Sequence, residues 1–95
     1  MLIHFNIKSA PKHWHGMRHI AIFYLGDCEP KDLLEVVDIV KATIDDSIGV
    51  VFYIDWDYVS ECGTIRLESK MGCDIEAIRE SCNRVIEQVG KSGKI

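Results

Sequence analysis

Two features of the sequence have residue types suited to chemistry. Asp55 and Asp57 stand two apart in the stretch Gly49-Val50-Val51-Phe52-Tyr53-Ile54-Asp55-Trp56-Asp57-Tyr58-Val59, and in an extended strand residues i and i+2 share a face at about 7 Å. A carboxylate pair so placed can hold a divalent cation or divide general acid and base roles. The second feature is His13-Trp14-His15-Gly16-Met17-Arg18-His19, which gathers three of the four histidines within seven residues. Imidazole is the commonest metal ligand and the side chain that titrates nearest neutrality. His13, His15 and His19 are therefore the candidate ligands for a metal such as zinc.

Neither feature is completed by its surroundings. No Ser/His/Asp order, glycine-rich phosphate loop or third carboxylate can be placed beside Asp55 and Asp57, and no Cys-x-x-Cys accompanies the histidines. His13-Trp14-His15 resembles the His-hydrophobic-His pattern of replication and transposition endonucleases, over three residues in a predicted loop. Gly90-Lys91-Ser92-Gly93-Lys94 imitates the end of a phosphate-binding loop, but Val85 stands where that loop needs a glycine, and the segment follows a helix instead of opening one. Cys28, Cys62, Cys73 and Cys82 would permit two disulfides; in a cytosolic chain free thiols are the default. Cys62 is expected in a turn and Cys73 before a helix, with no basic partner to activate either as a nucleophile. The residues point away from an enzyme and call for no cofactor.

The elements that must carry these residues follow from periodicity. In residues 49–59 the even positions Val50, Phe52, Ile54, Trp56 and Tyr58 are apolar, which predicts a strand with that face toward a core and with Tyr53, Asp55 and Asp57 toward water. Residues 2–8 alternate in the same way, with Ile3, Phe5 and Ile7 inward and His4, Asn6 and Lys8 outward. Residues 18–25 are a nearly unbroken apolar run, the mark of an interior strand. Thr64 to Lys70 places Ile65 and Leu67 opposite Arg66, Glu68 and Lys70. A turn at Ser60-Glu61-Cys62-Gly63 would pair Tyr58 with Ile65, Asp57 with Arg66, Tyr53 with Lys70 and Asp55 with Glu68, unless a bulge shifts the register.

Two helices complete the pattern. Pro30 suits a first helical position, and Leu33, Val36, Val37, Val40 and Ile44 form a stripe ending near Asp45 and Asp46. Asp74 suits an N-cap for a second stripe of Ile75, Ile78, Cys82, Val85 and Val89, with Gly90 as its C-cap. The order is ββαββα. It predicts a two-layer α+β sandwich: a four-stranded, mainly antiparallel sheet with both helices on one face. The expected domain spans 1–90, with 91–95 as a flexible tail.

At 95 residues there is room for one domain with a modest core, and 47% hydrophobic with 27% charged residues is an ordinary globular composition. The N-terminus alternates instead of forming a signal-peptide core, and no apolar run approaches a membrane span, so a cytoplasmic protein is expected. The net charge of −4 weighs against direct nucleic-acid binding. Charge is also unevenly placed: residues 1–19 carry three Lys/Arg and no acid, whereas residues 27–68 carry eleven acids against three bases.

The expectation drawn from these observations is a non-catalytic protein-protein interaction module, homodimeric or bound to another protein, that works through a sheet face or edge with an acidic surface. Tyr53, Asp55, Asp57, Arg66, Trp14 and Arg18 are the candidate partner-binding residues, aromatic and arginine side chains being favoured at interfaces. Two alternatives remain open. One is a small-molecule or metal-binding domain, or an enzyme, that uses residues 13–19. The other is an acidic inhibitor of a basic nucleic-acid-binding protein, of the phage or immunity type.

Overall fold

A computed structural model describes residues 1–9, 19–70 and 72–93, apart from the side chain of Phe52. Its elements are β1 (Leu2–Ser9), β2 (His19–Gly26), α1 (Pro30–Thr43), β3 (Gly49–Asp57), β4 (Cys62–Ser69) and α2 (Ile75–Lys91). The class is α+β: an antiparallel sheet with strands in the order β1-β2-β4-β3, and two helices. Among the described strands β2 and β4 are interior and β1 and β3 are edges, so the two ββα halves occupy corresponding places. The helices cross over: α1, which leaves β2, packs on β3 and β4, while α2, which leaves β4, packs on β1 and β2. Each half is thereby covered by the helix of the other.

Both helical stripes enter one core. Leu33, Val36, Val37, Val40 and Ile44 from α1 meet Ile78, Cys82, Val85 and Val89 from α2 over Ala21, Phe23 and Leu25 of β2 and Ile65 and Leu67 of β4. Ile3, Phe5 and Ile7 pack on its flank, with the Phe5 and Phe23 ring centroids 5.9 Å apart. Burial of these side chains, worth roughly 1.5–3 kcal/mol for each large one, drives the helices onto the sheet.

The helix ends follow local chemistry. Pro30 occupies the first turn of α1, and the Asp32 carboxylate accepts the Glu29 backbone N–H at 3.2 Å. Asp45 belongs to the following turn, where its Oδ1 accepts the Ser47 N–H at 2.7 Å. Asp74 caps α2 by accepting the Glu76 N–H. Gly90 is not the C-cap expected for it. The helix continues through Gly90 to Lys91, Ser92 is the cap, and Gly93 takes the left-handed φ of 81° that a terminating residue needs.

The β3–β4 hairpin departs most from its sequence reading. Its turn is Tyr58–Glu61, two residues earlier than expected, with Glu61 at φ 53°. Gly63, instead of forming the turn, lies buried inside β4, where a Cβ would come within 2.9 Å of Leu33 Cδ1. A bulge between Val51 and Tyr53 then reverses the inward face of β3 midway. Val51 packs on the core before it and Trp56 after it, while Val50 and Tyr58 are exposed instead of buried. The observed pairs are Ile54 with Ile65, Tyr53 with Arg66, Asp55 with Thr64 and Asp57 with Cys62. The expected pairings of Asp57 with Arg66, Tyr53 with Lys70, Asp55 with Glu68 and Tyr58 with Ile65 do not occur.

Candidate functional site

The sheet face that points away from the core is built by alternation, and the observed registers arrange it in three rows across the strands. His4, Tyr24, Thr64 and Asp55 form one row; Asn6, Ile22, Arg66 and Tyr53 the next; Lys8, Ile20, Glu68 and Val50 the third. Basic and polar groups therefore stand at the β1 edge and acids toward the β3 edge. The interior strand leaves apolar side chains between them: Ile20 and Ile22 are buried in a small cluster of their own with Tyr24. His4 stacks on Tyr24 with ring centroids 5.0 Å apart and planes 17° from parallel. Arg66 lies over the Tyr53 ring, its guanidinium carbon 5.7 Å from the centroid, a favourable cation-π placement.

Of the candidate residues, Tyr53, Asp55, Asp57 and Arg66 are brought to this one face. Trp14, Arg18, His13 and His15 lie outside the described residues. His19 starts β2, its backbone N–H bonded to the buried Ser69 hydroxyl at 2.8 Å. Among the described residues, no three His, Cys, Asp or Glu side chains converge to hold a metal ion.

Asp55 and Asp57 share the outward face after the bulge but differ in engagement. The Asp57 Oδ1 accepts the Val59 N–H at 2.8 Å and so closes the hairpin turn. That bond, with help from Ser60, holds the Asp57 carboxyl below its ordinary range. A carboxyl that gives up its proton more readily than usual is poorly suited to general-acid work near neutrality.

The thiols differ in access. All four cysteines are free. Cys28 and Cys82 are buried; burial raises both thiols, Cys82 to about 12. Cys73 donates to the Ile48 carbonyl, and Cys62, on the surface, donates to Ser60 O.

Sequence reasoning placed Tyr53 outward but missed the rest of the most exposed apolar surface. The described residues leave seven large hydrophobic side chains exposed, and five of them (Val50, Tyr53, Ile54, Tyr58 and Val59) lie on β3 and its hairpin turn. Tyr58 is 82% exposed and Val59 94%. Ile54 faces the helix side beside fully buried Ile65 yet is 41% exposed, because no strand among the described residues lies beyond β3. Beside β3 the C-terminal half of α1 leaves a groove of about 270 Å³, walled by Val40, Ile44, Val51 and Leu67 with Lys41 and Asp46 also lining it.

No protein-family model, curated protein or solved structure matches the chain. No helix among the described residues is long and apolar enough to cross a membrane. The functional reading therefore rests on the geometry of this surface.

Proposed function

We propose that the chain is a small cytosolic, non-catalytic protein-interaction module. In this reading the fold is a two-layer sandwich in which the helices serve one face of a four-stranded sheet, while the free edge and outward face of β3 meet the partner. The observation that carries it is the concentration of exposed Val50, Tyr53, Ile54, Tyr58 and Val59 on one edge strand and its turn. Scattered apolar residues are normal on a surface, but several gathered on one edge strand and its turn are a template for association. Arg66 on Tyr53 adds the residue types that dominate interface energetics.

The first partner to test is a second copy. Native mass spectrometry of the untagged protein reports its oligomeric state and any retained ligand together. A dimer that dissociates in Ile54→Lys, with the resulting monomer still unfolding cooperatively in urea, supports self-association through this edge. A monomer that also captures no protein partner through the edge would overturn the proposal, and a metal-bearing mass would redirect attention to the histidine segment.

A further inference from the structure

We infer that the β3 edge accepts an extended segment of another protein as an added strand, with apolar side chains alternating with Lys or Arg. This rests on the interaction reading above and deepens it by assigning the partner's chemistry.

Three observations converge on that occupant. First, β3 is an edge strand of nine residues, so one side of its backbone has no ladder partner within the described sheet. Strand addition supplies main-chain hydrogen bonds on that side and places alternate side chains on the two faces. Second, the groove between α1 and β3 lies on the core-facing side of that edge, where every second side chain of an added strand would descend. At about 270 Å³ it falls below the roughly 300–1,000 Å³ of sites for drug-sized ligands. Its walls of Val40, Ile44, Val51 and Leu67 suit an aliphatic side chain.

Third, acids predominate at this edge, although Lys41 lines the groove and Arg66 lies over Tyr53. Between residues 42 and 65 there is no Lys or Arg, whereas Asp45, Asp46, Asp55, Asp57 and Glu61 all fall there. Asp55 and Asp57 face outward from the strand that would be extended. A second β3 pairing about a two-fold axis would bring these carboxylates toward their own copies, and like charges across a strand pair are destabilising. The bulge at Val51 and Tyr53 also denies two rigid copies a flat common register. A flexible segment can follow that kink, and Lys or Arg on its outward face would meet the carboxylates. The apolar edge thus calls for cover and the acidic edge repels itself, and a basic, alternating strand answers both.

The test uses the intact protein and an end-capped peptide of alternating Lys and Val, matched to the nine residues of β3. In an NMR titration the expected result is slowed amide exchange along β3, shifts at Val40 and Ile44, and weakening by added salt. Asp55→Asn and Asp57→Asn should each reduce affinity by about two- to fivefold, the range of an exposed ion pair. A version N-methylated at alternate residues keeps the charge but cannot form the ladder, and should not bind. Equal binding of the N-methylated peptide, equal binding of a peptide with Glu in place of Lys, or no binding of any of them overturns the inference. If the peptides fail while the native dimer forms and Ile54→Lys dissolves it, the edge is an interface between copies and only this inference falls. If neither association occurs, this inference falls, and the interaction reading falls with it once the edge also captures no protein partner.

Discussion

Leu33 of α1 rests directly on Gly63 of β4: a Cβ at position 63 would come within 2.9 Å of Leu33 Cδ1 and within 3.2 Å of Cδ2. The glycine is there so that the helix can approach the sheet at the point where both are fully covered. Gly63→Ala should therefore destabilise the fold by about 1–3 kcal/mol through overpacking. Leu33 is buried, so Leu33→Ala alone should cost about 2–5 kcal/mol. In the double variant the added methyl enters the space vacated by leucine, and the two effects should sum to less than their separate values. Urea unfolding of the four proteins checks this as a double-mutant cycle; strict additivity would show that the two residues are not in contact.

The turn that follows β3 should be sensitive to acid. Because the Val59 N–H holds the Asp57 carboxyl low, the folded value lies beneath the unfolded one of about 3.9. The stabilisation from this bond is then complete at pH values above the unfolded pKa and is lost as pH falls through the folded one. Asp45, whose carboxylate is bonded to Ser47 N–H, should behave in the same sense. Carboxyl-detected NMR should find the Asp57 midpoint below about 3.9. Asp57→Asn keeps an oxygen for Val59 and should remove the share of the pH dependence due to Asp57, leaving that of Asp45, while retaining most of the turn. A midpoint at or above the model-peptide value would mean that the bond does not persist in solution.

Thiol reactivity should follow burial. A brief pulse of iodoacetamide near neutral pH is expected to modify exposed Cys62 first and half-buried Cys73 more slowly. Cys28 and Cys82 should be modified only on unfolding. Cys82 is protected twice, by lack of access and by a thiol raised to about 12. Mass spectrometry of the digested protein gives the order directly. Early modification of Cys82 in the folded protein would contradict the packing of α2.

Local pattern carried much of this fold. The stripe Leu33, Val36, Val37, Val40 and Ile44 is legible at helical spacing because one helix must turn one face to a core, and all five residues are buried. The same holds for Ile78, Cys82, Val85 and Val89, and for the alternation of Ile3, Phe5 and Ile7 with His4, Asn6 and Lys8. Most of the outward sheet face, from Tyr53 and Asp55 to Arg66 and Glu68, follows from the period of two.

What pattern alone could not decide depended on partners distant in sequence. Gly63 has the composition of a turn residue, yet Leu33, thirty positions earlier, claims it for a helix contact. The turn consequently moved to Tyr58–Glu61 and every β3–β4 pair moved with it. The bulge after Val51 has no mark in the residues, because it reconciles two stretches of β3 with one rigid neighbour, β4. Edge position is the other such property. Ile54 looks like a core residue by type and is exposed because the order of the described sheet places β3 last, whereas Val50 is exposed because the bulge leaves it on the outward face. Side-chain type and spacing determine which face a residue prefers, since that preference is set within one element. Whether the face is covered, and by what, is set only when the elements meet, and on β3 that unmet cover is the surface proposed to function.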